Sequence, residues 1–422
     1  MKKIGVAILG LGVVGTGTYR ILTDKKEYFA DTENLDLSVE AVLEPRKAHA
    51  KEVGVPEEIL CENISEVVSN PAVDIVVECI GGEEPALTFL MTALKNGKTC
   101  VTSNKELFSK HWFELEDQAK ASGANLFFEA TAMGGVPVIR VLTESMQANR
   151  IQKIAGVING TTNYILTRME EGEDFASALS EAQKAGYAEA NPKADVEGFD
   201  AAYKLSILAG LAFHKRINPA EIAREGITSI EKKDVAYAKE LGYAVKLLAV
   251  GNRTGEGLEL RVAPAFVPAD HPIANVKGCF NAVTIVGDSV GEVMLTGRGA
   301  GAEATGSAIV SDVVYAAKHP ERNYLCFLSE KKADKLSKEA TAGHYLRFLA
   351  PDEAGSLAKV ATALSKNGVS VEKIMQHPAE SGAEILIVSY LATDTAVKKA
   401  EEKLKETGIE LLAHYHVESL GE

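Results

Sequence analysis

The 422-residue sequence has few cysteines, one tryptophan and no long apolar run. Its longest uncharged stretch, from Ile4 to Tyr19, contains five glycines and is shorter than the roughly 20 residues of a membrane-spanning helix. It continues into a strand-turn-helix pattern, so we expect neither a signal peptide nor a membrane partner. The five cysteines are dispersed without a CxxC pair, which predicts reduced thiols and a cytoplasmic protein.

Positive charge is also scarce, because 45 Lys and Arg are outnumbered by 59 Asp and Glu, a formal net charge of −14. Nucleic-acid binding depends on clustered Lys and Arg, so we predict no nucleic-acid partner. A small anion can still bind at a helix N-terminus. Among nine histidines, the pair His414 and His416 alone has close spacing, which we interpret as two surface residues on a strand, and we predict no zinc site.

The overall composition is ordinary for a globular protein, and the length predicts two to three domains. Over residues 1–133, short apolar strands alternate with helices, which indicates an α/β domain with a doubly wound parallel sheet. Residues 134–318 mix long helical patterns with strands and indicate an α+β domain. A charged linker is predicted over 319–343, and the βαββαβ order over 344–422 is ferredoxin-like.

A glycine-rich turn, GLGVVG, follows the first predicted strand and precedes a helix. Its glycines allow a tight turn, a close backbone approach and close helix packing in the dinucleotide-binding fingerprint. We therefore predict that a pyrophosphate binds the turn at Gly10, Leu11, Gly12, Val13, Val14 and Gly15. The alternative is a glycine-rich turn that binds nothing.

The end of the second strand bears on the choice between NAD and NADP. Glu44 is a candidate acceptor for the ribose hydroxyls, which favours NAD, whereas Arg46 and Lys47 could hold a 2′-phosphate. The choice stays open at this point.

Two lysines are candidates for chemistry. Lys105 follows the fourth strand at the sheet edge where α/β proteins bind ligands. Lys204 lies four residues after Asp200, so the two share one face of a helix, where a partly buried lysine could transfer a proton. For both, the alternative is an exposed lysine, in the second case in a weak ion pair.

Three segments together resemble the homoserine dehydrogenase family, in its longer form with a C-terminal ACT domain. The most specific runs from Ala182 through Gly186, Asn191-Pro192, Asp195 and Gly198 to Asp200 and Lys204 and fits the family signature. Supporting runs are VVECIGG, VTSNKELF, EATAMGGVP, NGTTN and GRGAGAEATGSAIVSDVV. The resemblance implies a Rossmann-type fold, a middle catalytic and dimerisation domain, and an ACT regulatory domain.

It also implies NAD(P)-dependent interconversion of L-homoserine and L-aspartate 4-semialdehyde in threonine, methionine and isoleucine biosynthesis. In that reading Lys204 is the general acid/base, Lys105 the second catalytic lysine beside the nicotinamide, and Asp200 orients Lys204 and contacts the substrate. Glu189, Gly186 and Asp195 would line the substrate site, with acids suited to the substrate ammonium. Gly301 would approach the cofactor where a segment near 300–318 returns to the first domain.

The resemblance further implies a monovalent cation, Na⁺, held by the loop of Glu129, Ala132, Gly134 and Val136, mostly through backbone carbonyls. Asp352, Gly355 and Leu357 match the turn of ACT modules, which implies feedback by L-threonine; the alternative is a module that only assembles a homodimer or homotetramer. Leu43 stands where NADP-preferring members of the family commonly carry Arg, which weakens the assignment of NADP as the cofactor.

Two other functions are alternatives to the activity that the resemblance implies. A phosphorylating semialdehyde dehydrogenase needs a reactive cysteine, and none of the five cysteines has such a context. A non-enzymatic sensor would not need the two lysines, and an assay for NAD(P)⁺ reduction by L-homoserine distinguishes it.

Overall fold

The computed structural model describes residues 1–255, 257–321, 336–337 and 339–420. Most of the predicted linker over 319–343, with Cys326, lies outside these residues. Among the described residues, no helix combines the length and apolar character needed to cross a bilayer.

The described residues contain α-helices in all three of the predicted regions, 1–133, 134–318 and 344–422. They are α1 (Val13–Asp24), α2 (Lys26–Glu33), α3 (Lys47–Val53), α4 (Ile64–Ser69), α5 (Ala86–Lys95), α6 (Lys105–Ser122), α7 (Val138–Arg140), α8 (Gly160–Glu170), α9 (Phe175–Lys184), α10 (Lys193–Val196), α11 (Phe199–Phe213), α12 (Lys232–Leu241), α13 (Ala302–Lys318), α14 (Ser356–Lys366) and α15 (Asp394–Lys405).

The strands fall into two large sheets. They are β1 (Lys2–Leu9), β2 (Leu35–Leu43), β3 (Leu60–Cys61), β4 (Ile75–Glu78), β5 (Thr99–Thr102), β6 (Leu126–Phe127), β7 (Ile151–Val157), β8 (Ala223–Arg224), β9 (Tyr243–Thr254), β10 (Gly257–Pro268), β11 (Phe280–Gly287), β12 (Gly291–Arg298), β13 (Leu336–Ser337), β14 (Thr341–Ala350), β15 (Val371–Ala379), β16 (Gly382–Ser389), β17 (Ala392–Thr393) and β18 (Glu410–Val417).

The first sheet is parallel throughout, in the order β3-β2-β1-β4-β5-β6. This is the Rossmann order, in which the order of the strands reverses between β1 and β4 and leaves a crevice at the carboxyl ends of the strands. The central strands β1 and β4 are almost entirely buried, as expected of strands covered by helices on both faces. The predicted doubly wound parallel sheet is confirmed.

The second sheet has twelve strands, along the path β12-β11-β7-β9-β10-β18-β14-β16-β15 with three short strands beside it. Its last four strands, with α14 and α15, form the βαββαβ module predicted for the C-terminal region. The module has its own apolar core, in which strand residues such as Leu346 and Ile385 pack under Val360 and Val397 of the two helices.

This sheet does not stop at the C-terminal module, because β18 pairs in parallel with β10 through Ala265↔His416 and Phe266↔Val417. The ring of Phe266 stacks on that of Tyr345 in β14 with 4.3 Å between centroids. The strands of the module thus continue the second sheet, and the module is not a separate domain attached only through a linker.

The polypeptide forms two compact units. One contains residues 1–150, 203–220 and the described residues from 295 to 321; the other contains 151–202, the described residues of 221–294 and those from 336 onward. Within the first unit, α13 packs along α1. Helix α11 begins in the second unit and ends in the first.

Candidate active site

The glycine-rich turn has the geometry that its three glycines predict. Gly10 adopts φ +88°, a left-handed conformation that favours glycine. A Cβ on Gly15 would lie 2.0 Å from the carbonyl oxygen of Gly10, so only glycine lets α1 pack this closely on the turn. A Cβ on Gly12 would meet nothing within 4 Å, which leaves open space beside the backbone where a pyrophosphate would approach.

The residues between the glycines differ in what they can offer. Gly12 is the N-cap of α1 and supplies no side-chain cap, so the first N–H groups of the helix point toward the open space. Val13 is exposed and Val14 half-buried, whereas Leu11 is buried. The N–H of Leu11 donates to Oε2 of Glu44 at 2.8 Å, so this donor fixes the second strand to the turn.

Glu44 lines a cavity of about 550 Å³ beside the turn. Its carboxylate accepts hydrogen bonds from the N–H of Leu11 and from the N–H, Nε and Nη2 of Arg46. The hydrogen bonds from the Arg46 side chain lower the pKa of Glu44 to about 2, so it is ionised at neutral pH. The Arg46 side chain itself is 61% exposed, and Lys47 also lines the cavity.

Gly301 is the N-cap of α13. A Cβ on Gly17 would lie only 2.2 Å from the carbonyl oxygen of Ala302, the residue after Gly301. The start of α13 therefore packs directly against the second turn of α1. This packing brings Gly301 to the side of the helix that starts at the glycine-rich turn.

Lys105 is the first residue of α6, directly after β5. A buried polar chain holds this junction: Thr102 donates to Glu78 at 2.6 Å, and Asn104 donates to the carbonyl of Gly82 at 2.6 Å. Asn104 also caps α6 by accepting the N–H of Leu107. The start of α6 is therefore fixed relative to β4 and β5, and Lys105 is half-buried there.

Lys204 is buried, with 7% of its surface exposed, on α11. The residue before it, Tyr203, has its ring 5.8 Å from Nζ of Lys110 on α6. Further along, a Cβ on Gly210 would lie 2.9 Å from the Trp112 ring. These contacts hold α11 against α6, the helix that begins with Lys105, so both candidate lysines belong to the unit that carries the glycine-rich turn.

In the second unit, the side chain of Asn159 joins two of the predicted acids. Its Nδ2 donates to Asp195 at 2.7 Å and to Asp200 at 2.8 Å, while its Oδ1 accepts the N–H of Thr162 as the N-cap of α8. Asn159 and Asp200 are both at least 95% buried. The sequence reasoning quoted the NGTTN run without assigning Asn159 a role; an Asn directly before a helix is a capping signal that could have identified it.

Glu189 and Gly186 lie in an exposed turn between α9 and α10. Gly186 has φ +75° and ends α9. Thr161 on α8 donates to the carbonyl of Tyr187 at 2.6 Å, which ties this turn to the helix that Asn159 caps. The N-terminus of α8 is thus close both to the turn that carries Gly186 and Glu189 and to the acids that Asn159 contacts.

The predicted cation loop is buried in the first unit. The Glu129 carboxylate accepts the N–H groups of Ile139 and Arg140, each at 2.8 Å. Burial and the nearby Asp312 raise the pKa of Glu129 to about 8. Met133 and Gly134 both adopt left-handed conformations, and a Cβ on Gly134 would lie 2.4 Å from the carbonyl oxygen of Gly299.

The donors that this loop can offer a cation are backbone carbonyl oxygens, since the Glu129 carboxylate already caps α7. The carbonyls of Glu129 and Val136 each accept one N–H, from Ala132 and Val138, and a carbonyl oxygen has two lone pairs. Uncharged oxygen donors suit a hard cation of low charge. The residues present therefore fit the predicted ion.

Two of the described cysteines, Cys79 and Cys100, are in environments that disfavour a nucleophilic thiolate. Cys79 lines the cavity beside the turn, but burial raises its pKa above that of an ordinary thiol. Burial has the same effect on Cys100. A thiolate is the reactive form of cysteine, so these environments argue against the phosphorylating dehydrogenase.

Comparison with known proteins agrees with this arrangement. Family models match three parts of the chain: the NAD-binding domain of homoserine dehydrogenase over residues 10–129, homoserine dehydrogenase over 137–314 and the ACT domain over 344–408. A homoserine dehydrogenase of Bacillus subtilis is 37% identical to this chain, with 100% of both chains covered.

Two solved structures show the same likeness. A homoserine dehydrogenase from Thiobacillus denitrificans, 36% identical, matches with a TM-score of 0.92 over 100% of this chain and 99% of that one. A hyperthermophilic archaeal homoserine dehydrogenase in complex with NADPH, 29% identical, matches with a TM-score of 0.65 over 76% of this chain and 99% of that one. The chain therefore belongs to the homoserine dehydrogenase family, as an NAD(P)-dependent oxidoreductase of amino-acid biosynthesis with a C-terminal ACT domain.

Proposed function

We propose that this chain interconverts L-homoserine and L-aspartate 4-semialdehyde in the biosynthesis of threonine, methionine and isoleucine. The observation that carries the proposal is the buried Lys204 on a helix packed against α6, which begins with Lys105, in the unit that holds the glycine-rich turn. When bound, the nicotinamide supplies or accepts the hydride.

The two lysines handle the charge and the proton on the reacting oxygen. In the oxidation direction, Lys204 accepts the hydroxyl proton of homoserine as the hydride leaves the carbon that bears that hydroxyl, and the aldehyde forms. In the reverse direction, Lys204 returns the proton while the Lys105 ammonium stabilises the negative charge that develops on the oxygen.

Acidic side chains hold and orient the substrate. Asp200 lies one turn before Lys204 on α11 and orients it, with its own carboxylate fixed by Asn159. Exposed Glu189 binds the substrate ammonium, and Gly186 and Asp195 line the same site. Asn159 acts as a positioning residue, because it holds Asp195 and Asp200 together.

The glycine-rich turn binds the pyrophosphate, with Gly301 beside it, and the cavity at Glu44 receives the adenosine end. Both oxygens of Glu44 are already engaged by Leu11 and Arg46, whereas Arg46 and Lys47 present positive charge to the cavity. We therefore propose that the pocket takes NADP as well as NAD, with Arg46 as the residue that contacts a 2′-phosphate.

The loop of Glu129, Ala132, Gly134 and Val136 would hold Na⁺ through backbone carbonyls and so fix the start of α7. L-threonine would act through the ACT module, in a homodimer or homotetramer located in the cytoplasm. The division into domains at 1–133, 134–318 and 344–422 belongs to the same proposal.

The proposal is tested by steady-state kinetics of L-homoserine oxidation with NAD⁺ and NADP⁺. We expect K204A and K105A each to lower kcat by about 100-fold or more, as for loss of a positioned proton-transfer or charge-stabilising group. K204R should fail as well, because a guanidinium is a poor proton donor. Lys120, at the far end of α6, pairs with Glu116, and K120A is the matched control with unchanged kcat.

Unchanged turnover in K204A or K105A would remove the role assigned to that lysine. A wild-type chain that reduces neither nucleotide with L-homoserine would favour the sensor instead.

A further inference from the structure

The ACT module contains a cluster of metal-ligating side chains that the proposed reaction does not use. His344, Asp394, His414 and His416 each direct one ligand atom toward a common centre, and these atoms all lie within 4.8 Å of one another. His414 and His416, which their spacing predicts to be surface residues on a strand, are both half-buried. The structure adds a fully buried third histidine and a carboxylate that sequence spacing did not connect to them.

The strand register explains how the cluster forms. His414 and His416 are two residues apart on β18 and therefore point to the same face. In the antiparallel pair with β14, His344 lies directly opposite His416. Asp394 begins α15 on that face, where Thr393 caps the helix. Two strands and a helix terminus thus converge on one point at the end of the module's apolar core.

Hydrogen bonds already orient the donors as in a metal site. His344 Nε2 lies 3.1 Å from the carbonyl oxygen of Ala392, and because a carbonyl only accepts, this contact places the proton on Nε2 and leaves the Nδ1 lone pair facing the cluster. A metal-bound histidine usually donates its other ring N–H to a carbonyl or carboxylate oxygen in this way. Nδ1 of His344 lies 2.8 Å from Nε2 of His414, and Nε2 of His416 lies 2.8 Å from Oδ1 of Asp394.

These distances are close to those of a tetrahedral centre. Zinc–nitrogen bonds of roughly 2.0–2.1 Å place neighbouring ligand atoms about 3.3 Å apart, so each side chain needs a shift of only about 1.5 Å or less. A cavity of about 370 Å³, lined by Asp394, His414 and His416, gives access from solvent. Arg261 is a buried cation whose charge acts on His344. It is paired with Glu259 and Glu418, so its charge is compensated.

We propose that His344, Asp394, His414 and His416 form a binding site for one divalent transition-metal ion of the zinc class. Three imidazoles and one carboxylate are a donor set that favours such ions over Mg²⁺ or Ca²⁺, which prefer oxygen ligands. The bound ion links β14, β18 and α15 where β18 also pairs with β10. It therefore ties the ACT module together at its junction with the rest of the second sheet.

The experiment uses the full chain, stripped with a chelator and titrated with Zn²⁺ in competition with a chromophoric chelator, and with Co²⁺ as a spectroscopic probe. We expect one Zn²⁺ per chain and visible Co²⁺ absorption bands of a four-coordinate site. H414Q and D394N should each raise the Kd for Zn²⁺ by at least roughly 10- to 100-fold. Loss of a residue that only hydrogen-bonds to a metal ligand already weakens binding by this much, and these two residues would be ligands themselves. H319Q, which changes a histidine of the first unit, should bind as the wild type does.

Binding that is equally tight in D394N and H414Q would identify an adventitious ion only and overturn the proposal, as would wild-type protein that takes up no stoichiometric Zn²⁺. If H414Q fails to fold, as judged by circular dichroism, D394N and the Co²⁺ spectrum of the wild type decide. A six-coordinate, nearly colourless Co²⁺ spectrum would contradict the four-ligand site.

Discussion

Single residues of this chain are specified to different degrees by their neighbours in sequence. Gly10, Gly12 and Gly15 have the three distinct roles that their spacing predicts, because each role depends on backbone atoms within a few residues. The state of Glu44 was not predictable in the same way. Its hydrogen bond from Leu11 depends on β1 and β2 lying side by side, which is a tertiary relationship, whereas its contact with Arg46 is made within two residues of chain.

Arg46 provides a test at this scale. We expect R46A to raise the KM for NADP⁺ by about 10- to 100-fold, since a hydrogen bond to a charged group is worth about 1.5–3 kcal/mol, and to change the KM for NAD⁺ far less. The measurement is steady-state kinetics of homoserine oxidation with each nucleotide. K51A, on the surface of α3 beyond the cavity, is the control, and an equal rise for both nucleotides would contradict a 2′-phosphate contact.

At the scale of elements, helix and strand identity followed from local patterns, whereas the start of α6 did not. Apolar periodicity predicts a helix from residue 111, but α6 begins at Lys105, because Asn104 caps it through a network that includes Glu78 and Thr102. That network brings β4 and β5 together with the helix. The six extra residues make Lys105 the first residue of the helix.

The contact between α12 and the ACT strands is the second element-scale feature. Arg347 on β14, 2% exposed, donates to both oxygens of Asp234 and also pairs with Glu231 and Glu384. Removing it leaves the buried Asp234 carboxylate without a counter-charge, and breaking a buried ion pair in this way typically costs about 3–5 kcal/mol. We expect R347A to lower the denaturant and thermal midpoints of unfolding strongly.

Arg168 is the matched control, because it also contacts several carboxylates in the second unit but has a side chain 31% exposed. Ion pairs at the surface contribute about 1 kcal/mol or less, so R168A should shift the midpoints little. Equal losses in the two variants would show that the Arg347 cluster does not hold α12 to the module.

At the scale of the whole molecule, the ACT module and the strands beside it form one sheet, through the pairing of β18 with β10. Deleting residues 344–422 would therefore expose the edge of β10 and the ring of Phe266 as well as remove the proposed threonine site. Regulation is better tested in the full chain, with a point change in the turn that carries Asp352, Gly355 and Leu357.

We expect L-threonine to inhibit the full chain. D352N should raise the half-inhibitory concentration by about 10-fold or more, from loss of a charge-assisted hydrogen bond, without altering the uninhibited kcat. D31N, on α2 of the first unit, is the control. A wild-type chain insensitive to L-threonine would leave the module with assembly alone.

The sequence by itself determined the parallel sheet, the glycine-rich turn, the ACT module and the two candidate lysines, because periodicity, turn chemistry and a long contiguous signature are local properties of the chain. Only the tertiary structure decided that Asn159 joins Asp195 to Asp200, that the N–H of Leu11 donates to Glu44, and that His344 and Asp394 complete a cluster with His414 and His416. Those groups are separated by up to dozens of residues along the chain. Their proximity arises from strand register and helix packing, which long-range burial of apolar surface selects and no local pattern encodes.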